Sequence, residues 1–123
     1  MIQERSILKV ADNSGAKMVR CFRILGGSKR RYARIGDVVI ASVRTAEPRK
    51  QIKKKDIVNI LIVRQKEAYR RKDGSYVRFS DNAAVIIDKD KKEPKATRIF
   101  GPVPREIKEM GYDTIASLAE ELV

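Results

Sequence analysis

Arginine and lysine crowd four stretches of the chain, and their shared chemistry is the binding of anions. The first stretch is Lys29, Arg30, Arg31 and Arg34 around Tyr32. The second holds Arg44, Arg49, Lys50, Lys53, Lys54 and Lys55. The third runs through Arg64, Lys66, Arg70, Arg71, Lys72 and Arg78, with Tyr69 and Tyr76 among them. The fourth is Lys89, Lys91, Lys92, Lys95 and Arg98. Guanidinium groups fork onto phosphate, and both guanidinium and tyrosine rings stack on bases. Cationic side chains on loops can reach a phosphate backbone. Lys and Arg total 28 against 16 for Asp and Glu, a formal charge of +12. That imbalance points to nucleic acid as partner. An anionic membrane would call for an amphipathic basic helix, and the sequence has none.

Other chemistries find little to work with. The absence of His removes the commonest general base and metal ligand. A single Cys excludes an internal disulfide and a multi-cysteine zinc site. Cys21, between Arg20 and Phe22, reads as a small core residue. Asp88 and Asp90 lie among Lys89, Lys91 and Lys92 and read as a solvated loop, so no metal and no cofactor is expected. Gly26-Gly27-Ser28 lacks the Lys-Ser/Thr ending of a phosphate-binding loop and reads as a turn. Ile99 and Phe100 read as core rather than as a stacking platform. Met1–Arg5 lacks the pattern of a signal peptide, and the longest apolar run, Ala83 to Ile87, is far short of a membrane span. A soluble, cytoplasmic protein is expected.

The elements that must position these cations are mostly strands. Ile and Val total 25 residues, whereas Leu contributes 5. β-Branched side chains pack well on pleated surfaces. Strands are predicted at Ile7–Ala11, Lys17–Leu25, Val38–Arg44, Ile57–Arg64 and Ala83–Ile87. The intervals carry turn chemistry: Asp12-Asn13-Ser14-Gly15, Gly36-Asp37, Asp73-Gly74 and Asp81-Asn82. Val38–Val43 and Ile60–Val63 are apolar on both faces, so one face fills a barrel and the other must be covered. Five closely spaced strands suggest a small closed five-stranded β-barrel, which leaves no free edge. Asp73-Gly74 favours a type I′ turn, and residues 64–79 read as a two-stranded ribbon projecting from the barrel.

Beyond Pro102 and Pro104 the texture changes. Arg105–Met110 and Thr114–Leu122 read as two short helices around Gly111, with Ile107, Met110, Ile115, Leu118 and Leu122 as one packing face. Residues 105–123 hold two basic and five acidic side chains. With +12 overall, residues 1–104 therefore carry +15. The chain reads as one domain, 1–123, with barrel and ribbon in 1–103 and a helical part in 104–123.

Several runs together carry a more specific likeness. They are Ala11-Asp12-Asn13-Ser14-Gly15-Ala16, Leu25-Gly26-Gly27-Ser28, Arg30-Arg31-Tyr32-Ala33 and Gly36-Asp37. Further along come Arg70-Arg71-Lys72-Asp73-Gly74-Ser75, Arg78-Phe79, Asn82-Ala83-Ala84-Val85 and Thr97-Arg98-Ile99-Phe100-Gly101-Pro102-Val103. On these the chain resembles, end to end, the universal L-fourteen family of large-subunit ribosomal proteins. The resemblance implies a five-stranded barrel, a protruding ribbon and a small C-terminal helical part. It implies binding to 23S rRNA at the subunit interface and proximity to small-subunit rRNA at an intersubunit bridge. It also implies contacts with large-subunit proteins three and nineteen and with the ribosome silencing factor. By the same resemblance Arg30, Arg31, Tyr32, Arg70, Arg71, Lys72 and Arg78 face RNA, and Thr97 and Arg98 match the silencing-factor surface.

Three positions depart from the family pattern. Asn59 stands where Ala or Gly is usual. Lys54-Lys55-Asp56 lacks the Gly common at that turn. Glu120 replaces a usual Pro and implies a longer last helix. The sequence thus points to a non-enzymatic structural protein of the large ribosomal subunit. Its expected RNA contacts are Lys29, Arg30, Arg31, Tyr32, Arg34, Arg49, Lys50, Lys53, Lys54, Arg64, Arg70, Arg71, Lys72 and Arg78. The alternative is a small-barrel translation or RNA-processing factor that binds RNA transiently.

Overall fold

Five strands close on themselves. The computed structural model describes residues 2–3, 5–25, 32–50, 52–88 and 93–123. In chain order the elements are β1 (Ile2–Gln3), β2 (Ile7–Val10), β3 (Ala16–Ile24), β4 (Tyr32–Ala33), β5 (Val38–Ala46), β6 (Ile57–Arg64), β7 (Tyr69–Arg70), β8 (Tyr76–Val77) and β9 (Ala83–Ile87). Then come β10 (Ile99–Val103), α1 (Glu106–Glu109), α2 (Asp113–Leu118) and β11 (Ala119–Leu122). The barrel is β2-β3-β5-β6-β9, closed by a parallel pairing of β2 with β9. All five barrel strands lie where the sequence predicts them, with ends shifted by at most two residues. The Gly26-Gly27-Ser28 turn and Asp90 lie outside the described residues.

The two-faced apolar strands explain the rest of the architecture. One cluster fills the barrel and includes Leu8, Val19, Cys21, Val39, Ala41, Ile60, Ile62, Ala84 and Ile86. The alternate residues Leu61, Val63, Val85 and Ile87 point outward and form a second core with Ile99, Val103, Ile107, Tyr112 and Ile115. β6 and β9 are therefore covered on both sides, and residues 99–118 provide the outer cover. Full burial of each such side chain contributes about 1.5–3 kcal/mol relative to exposure.

The two short helices expected near the C-terminus are present, and the cover adds two strands to them. Ile99–Val103 is a strand, and residues 119–122 return as a second strand parallel to it. The helices α1 and α2, four and six residues long, form the crossover that a parallel pair requires. Pro102 pairs at a register irregularity of this small sheet, a place where a missing N–H is tolerated. Ala119 turns extended (φ −68°, ψ 144°) and ends α2. Glu120 thus lengthens no helix: its Oε2 accepts a hydrogen bond from Gly101 N at 3.0 Å. Ile107 and Ile115 are buried as expected, but Met110 and Leu122 are about half exposed. Met110 lies across Gly36, occupying the space a β-carbon there would need. Phe100 is also about half exposed, because β10 alternates and its neighbour Ile99 takes the core side.

A further pairing was not anticipated. β1 pairs antiparallel with β4, and Ile2 and Ala33 are fully buried. The second of these strands lies within the first basic stretch, just before Arg34.

Candidate nucleic-acid interface

The loop between β5 and β6 presents Arg49, Lys50, Lys53, Lys54 and Lys55 to solvent. Its return is tight. Asp56 N donates to Lys53 O at 3.2 Å, and Lys53 N donates to Asp56 Oδ2 at 2.9 Å. Lys55 N then donates to Val43 O at 2.8 Å, fastening the turn to β5. The third residue of this turn takes a positive φ, and here it is Lys55 at 75°. The turn keeps a glycine-like backbone without the glycine.

The ribbon is shorter and better anchored than its sequence suggests. Only Tyr69–Arg70 and Tyr76–Val77 pair. Gly74 has φ +90°, but Asp73 is absent from the described residues with positive φ, so the turn is not type I′. Gly74 N donates to Arg71 O and Arg71 N to Ser75 O, a three-residue connection with its left-handed residue last. The Asp73 carboxylate accepts from both Ser75 Oγ (2.6 Å) and Ser75 N (3.0 Å). These bonds hold its pKa below the usual value, the Ser75 hydroxyl foremost.

Arg70, Lys72 and Arg78 are exposed, while Arg71 is turned inward. Its Nε lies 2.6 Å from Glu106 Oε1, with both side chains largely covered. Tyr69 donates its hydroxyl to Glu106 Oε2 at 3.1 Å, and burial foremost raises its pKa. The ribbon is thus braced against α1. Arg64 is also withdrawn, only 8% exposed and 3.5 Å from Asp81 at Nε. Its guanidinium reaches Gly101, where a β-carbon would fall 2.3 Å from Nη1. Arg64 and Arg71 therefore differ from the other cations of their cluster: each is occupied by protein.

Lys29, Arg30 and Arg31 lie outside the described residues, as do Lys89, Lys91 and Lys92. Tyr32 is 46% exposed on β4. Arg34 is exposed, and its N–H donates to Asp37 Oδ2 at 2.7 Å.

Thr97 and Arg98 are exposed and firmly held. Asn13 Oδ1 accepts from Thr97 N at 3.0 Å and Arg98 N at 3.1 Å. Asn13 Nδ2 donates to Thr97 Oγ1 at 2.9 Å. Beside it, buried Asp12 accepts from Ile86 N at 2.9 Å and from Ser14 N and Oγ. Burial raises the Asp12 pKa despite these bonds. The run Asp12-Asn13-Ser14-Gly15, read from sequence as a turn, is also a clasp that joins the barrel to residues 97–99. Sequence reasoning missed Asn13 and Glu106 as positioning residues. The signal available for Glu106 was an acid in a net acidic segment that needed a cationic neighbour.

The arrangement offers exposed cations on one long loop, one braced ribbon and the strand β4 region. Such an arrangement can bind polyanions. Among the described residues no group of three acids or cysteines is placed to hold a metal ion. No helix among them is long and apolar enough to cross a membrane. The family model of ribosomal protein L14p/L23e matches residues 1–123, the whole chain, and the protein belongs to that family of structural, ribosome-associated proteins of the large subunit.

Proposed function

We propose that the protein binds 23S rRNA near the subunit interface and contributes to an intersubunit bridge with small-subunit rRNA. The observation that carries this reading is the division of charge. Residues 1–104 hold +15, and Arg49, Lys50, Lys53, Lys54, Arg70, Lys72 and Arg78 are all exposed. Lys29, Arg30, Arg31, Tyr32 and Arg34 complete the RNA-facing set. The barrel is a rigid holder, and its cations neutralise phosphates where RNA segments converge. The role is non-enzymatic and cytoplasmic, and residues 1–123 act as one unit.

Proteins three and nineteen of the large subunit and the ribosome silencing factor are the protein partners. For the silencing factor the supporting observation is the Asn13 clasp, which fixes the backbone under Thr97 and Arg98. A transient RNA-binding factor would leave the subunit in moderate salt. Gradient fractionation of tagged protein tests the reading: it should remain in the large-subunit peak, and its loss to the top fractions would overturn it. If about six to ten phosphates are neutralised, affinity for isolated rRNA should fall roughly 10³–10⁵-fold between about 50 and 200 mM salt.

A further inference from the structure

The outer wall of the barrel carries a concave site that no single basic stretch of the sequence describes. Arg20 of β3 stands directly across from Ser42 of β5. Past Ser42 the pairing slips: Val43 faces Val19 and Thr45 faces Met18, so Arg44 is an inserted residue. Such a bulge re-aims side chains. Arg44 and Thr45 are both exposed, while Val43 stays in the core. The turn at Lys54 and Lys55 closes the other side, fastened by the bond from Lys55 N to Val43 O. Arg20, Ser42, Arg44, Thr45, Lys54 and Lys55 line one pocket.

Its chemistry is one-sided. Four cations and two hydroxyl side chains line the space, and no carboxylate is among its described lining residues. Asp56, next in sequence, directs Oδ2 to Lys53 N instead. Gathered positive charges repel unless an anion sits among them. The left-handed backbone of Lys55 adds a second, independent observation. Such conformations are costly for a residue with a side chain and collect at ligand clamps. The described lining residues include no aromatic ring, so they offer no platform for a base.

We propose that this pocket is a phosphate subsite that holds one phosphodiester of an RNA backbone, without reading its sequence. The proposal rests on the RNA-binding reading and adds Arg20, Ser42, Thr45 and Lys55 to it. Arginine supplies paired donors, the hydroxyls donate to the remaining oxygens, and the lysines act as point charges.

Arg20→Gln and Lys55→Gly, separate and combined in the full chain, test it. Lys55→Gly removes the ammonium and relieves the positive φ together, so lost binding cannot be put down to unfolding. The probe is deproteinised large-subunit rRNA in filter binding from about 50 to 200 mM KCl. Each lost contact should lower the salt slope by about 0.7–0.9, and the double variant should bind about tenfold more weakly. A second arm follows the Ser42 and Lys55 amide resonances during titration with inorganic phosphate, and both should shift. A double variant with the wild-type slope and affinity overturns the subsite and leaves the RNA reading standing. Amide shifts with an unchanged RNA slope would mark a free-phosphate site and also overturn the proposal. Wild-type protein without salt-dependent rRNA binding would overturn both readings.

Discussion

Arg71 and Glu106, 35 residues apart in the chain, meet through two atom pairs: Nη2 donates to Oε2 at 3.3 Å, and Nε lies 2.6 Å from Oε1. The same Nη2 donates to the Val123 main-chain oxygen at 2.5 Å. One guanidinium therefore ties the ribbon to α1 and to the end of the β10–β11 sheet. Arg70 and Lys72, on either side of it, remain exposed. The order of residues suggests three equivalent cations, but the geometry makes the middle one an anchor for the outer two.

Arg71→Ala should therefore destabilise the protein, by about 1–3 kcal/mol for a largely covered, hydrogen-bonded charge pair. Arg70→Ala should leave stability unchanged and reduce the salt dependence of rRNA binding by about one contact. Thermal unfolding and filter binding on the same two variants check the division. Equal stability in the two variants would remove the anchor role.

The barrel was legible because its strands are marked twice, by β-branched runs and by turn residues between them. Ile60–Val63 even announced a second buried face before its cover was known. The cover itself was harder to read. Ala119-Glu120-Glu121-Leu122 has helix-forming composition, yet it pairs with β10, and just beyond it Val123 N donates to Val103 O while Arg105 N donates to Val123 O. Pro102 reads as a strand breaker, which hid β10. In the candidate interface, composition located the cations but could not tell a free one from a paired one. Arg64 and Arg70 look alike in sequence, and only the approach of Asp81 and Gly101 separates them.

Gly74 has φ +90° and open space where a β-carbon would sit. The cost of substitution is therefore backbone strain alone, about 1–2 kcal/mol for a β-carbon in the left-handed region. Gly74→Val should loosen the ribbon, speed hydrogen exchange at Arg71 and Ser75, and lower incorporation into the subunit. The barrel should stay folded, since its core lies elsewhere. Loss of all β structure would show that the ribbon and barrel are one cooperative unit.

Asp12 gives stability a pH dependence. Burial raises its folded-state pKa above 3.8, so the folded protein holds this proton more tightly than the unfolded chain. That contribution is fully present below 3.8 and is lost as pH rises through the folded value. Asp12→Asn removes the titration and leaves fewer acceptors for Ile86 N and the Ser14 donors, costing about 1–3 kcal/mol. The stability gap between wild type and variant should narrow as pH rises through that window. A gap that widens would mean that the carboxylate is favoured, not penalised, by its site.

Lys55 at φ 75° predicts an unusual stabilising change. Glycine relieves a strain of about 1–2 kcal/mol and costs about 0.5–1 kcal/mol in backbone entropy. Lys55→Gly should raise stability by up to about 1 kcal/mol, and Lys55→Ala, which keeps the β-carbon, should not. Denaturant titration of both variants distinguishes relief of strain from simple loss of charge, because only the glycine variant should gain.

On the proposed reading, Arg98 distinguishes a protein-binding surface from an RNA-binding one. Its backbone is pinned by Asn13 Oδ1, which also holds Thr97, so substitution of the side chain leaves the local path intact. The exposed cations between β5 and β6 and on the ribbon are unchanged in this variant, and on the proposed reading they still hold RNA. Arg98→Glu should therefore weaken association with the silencing factor more than rRNA binding, because one reversed charge at a protein contact creates an unpaired or like-charged neighbour. Asn13→Ala serves as the companion: it frees the backbone of residues 97 and 98 while keeping the Arg98 charge. It should also weaken silencing-factor association, by loss of positioning, and leave the salt slope of rRNA binding unchanged. Both affinities are to be measured on the same purified variants. If Arg98→Glu lowers rRNA affinity as much as silencing-factor affinity, Arg98 is an RNA ligand and the two surfaces are one.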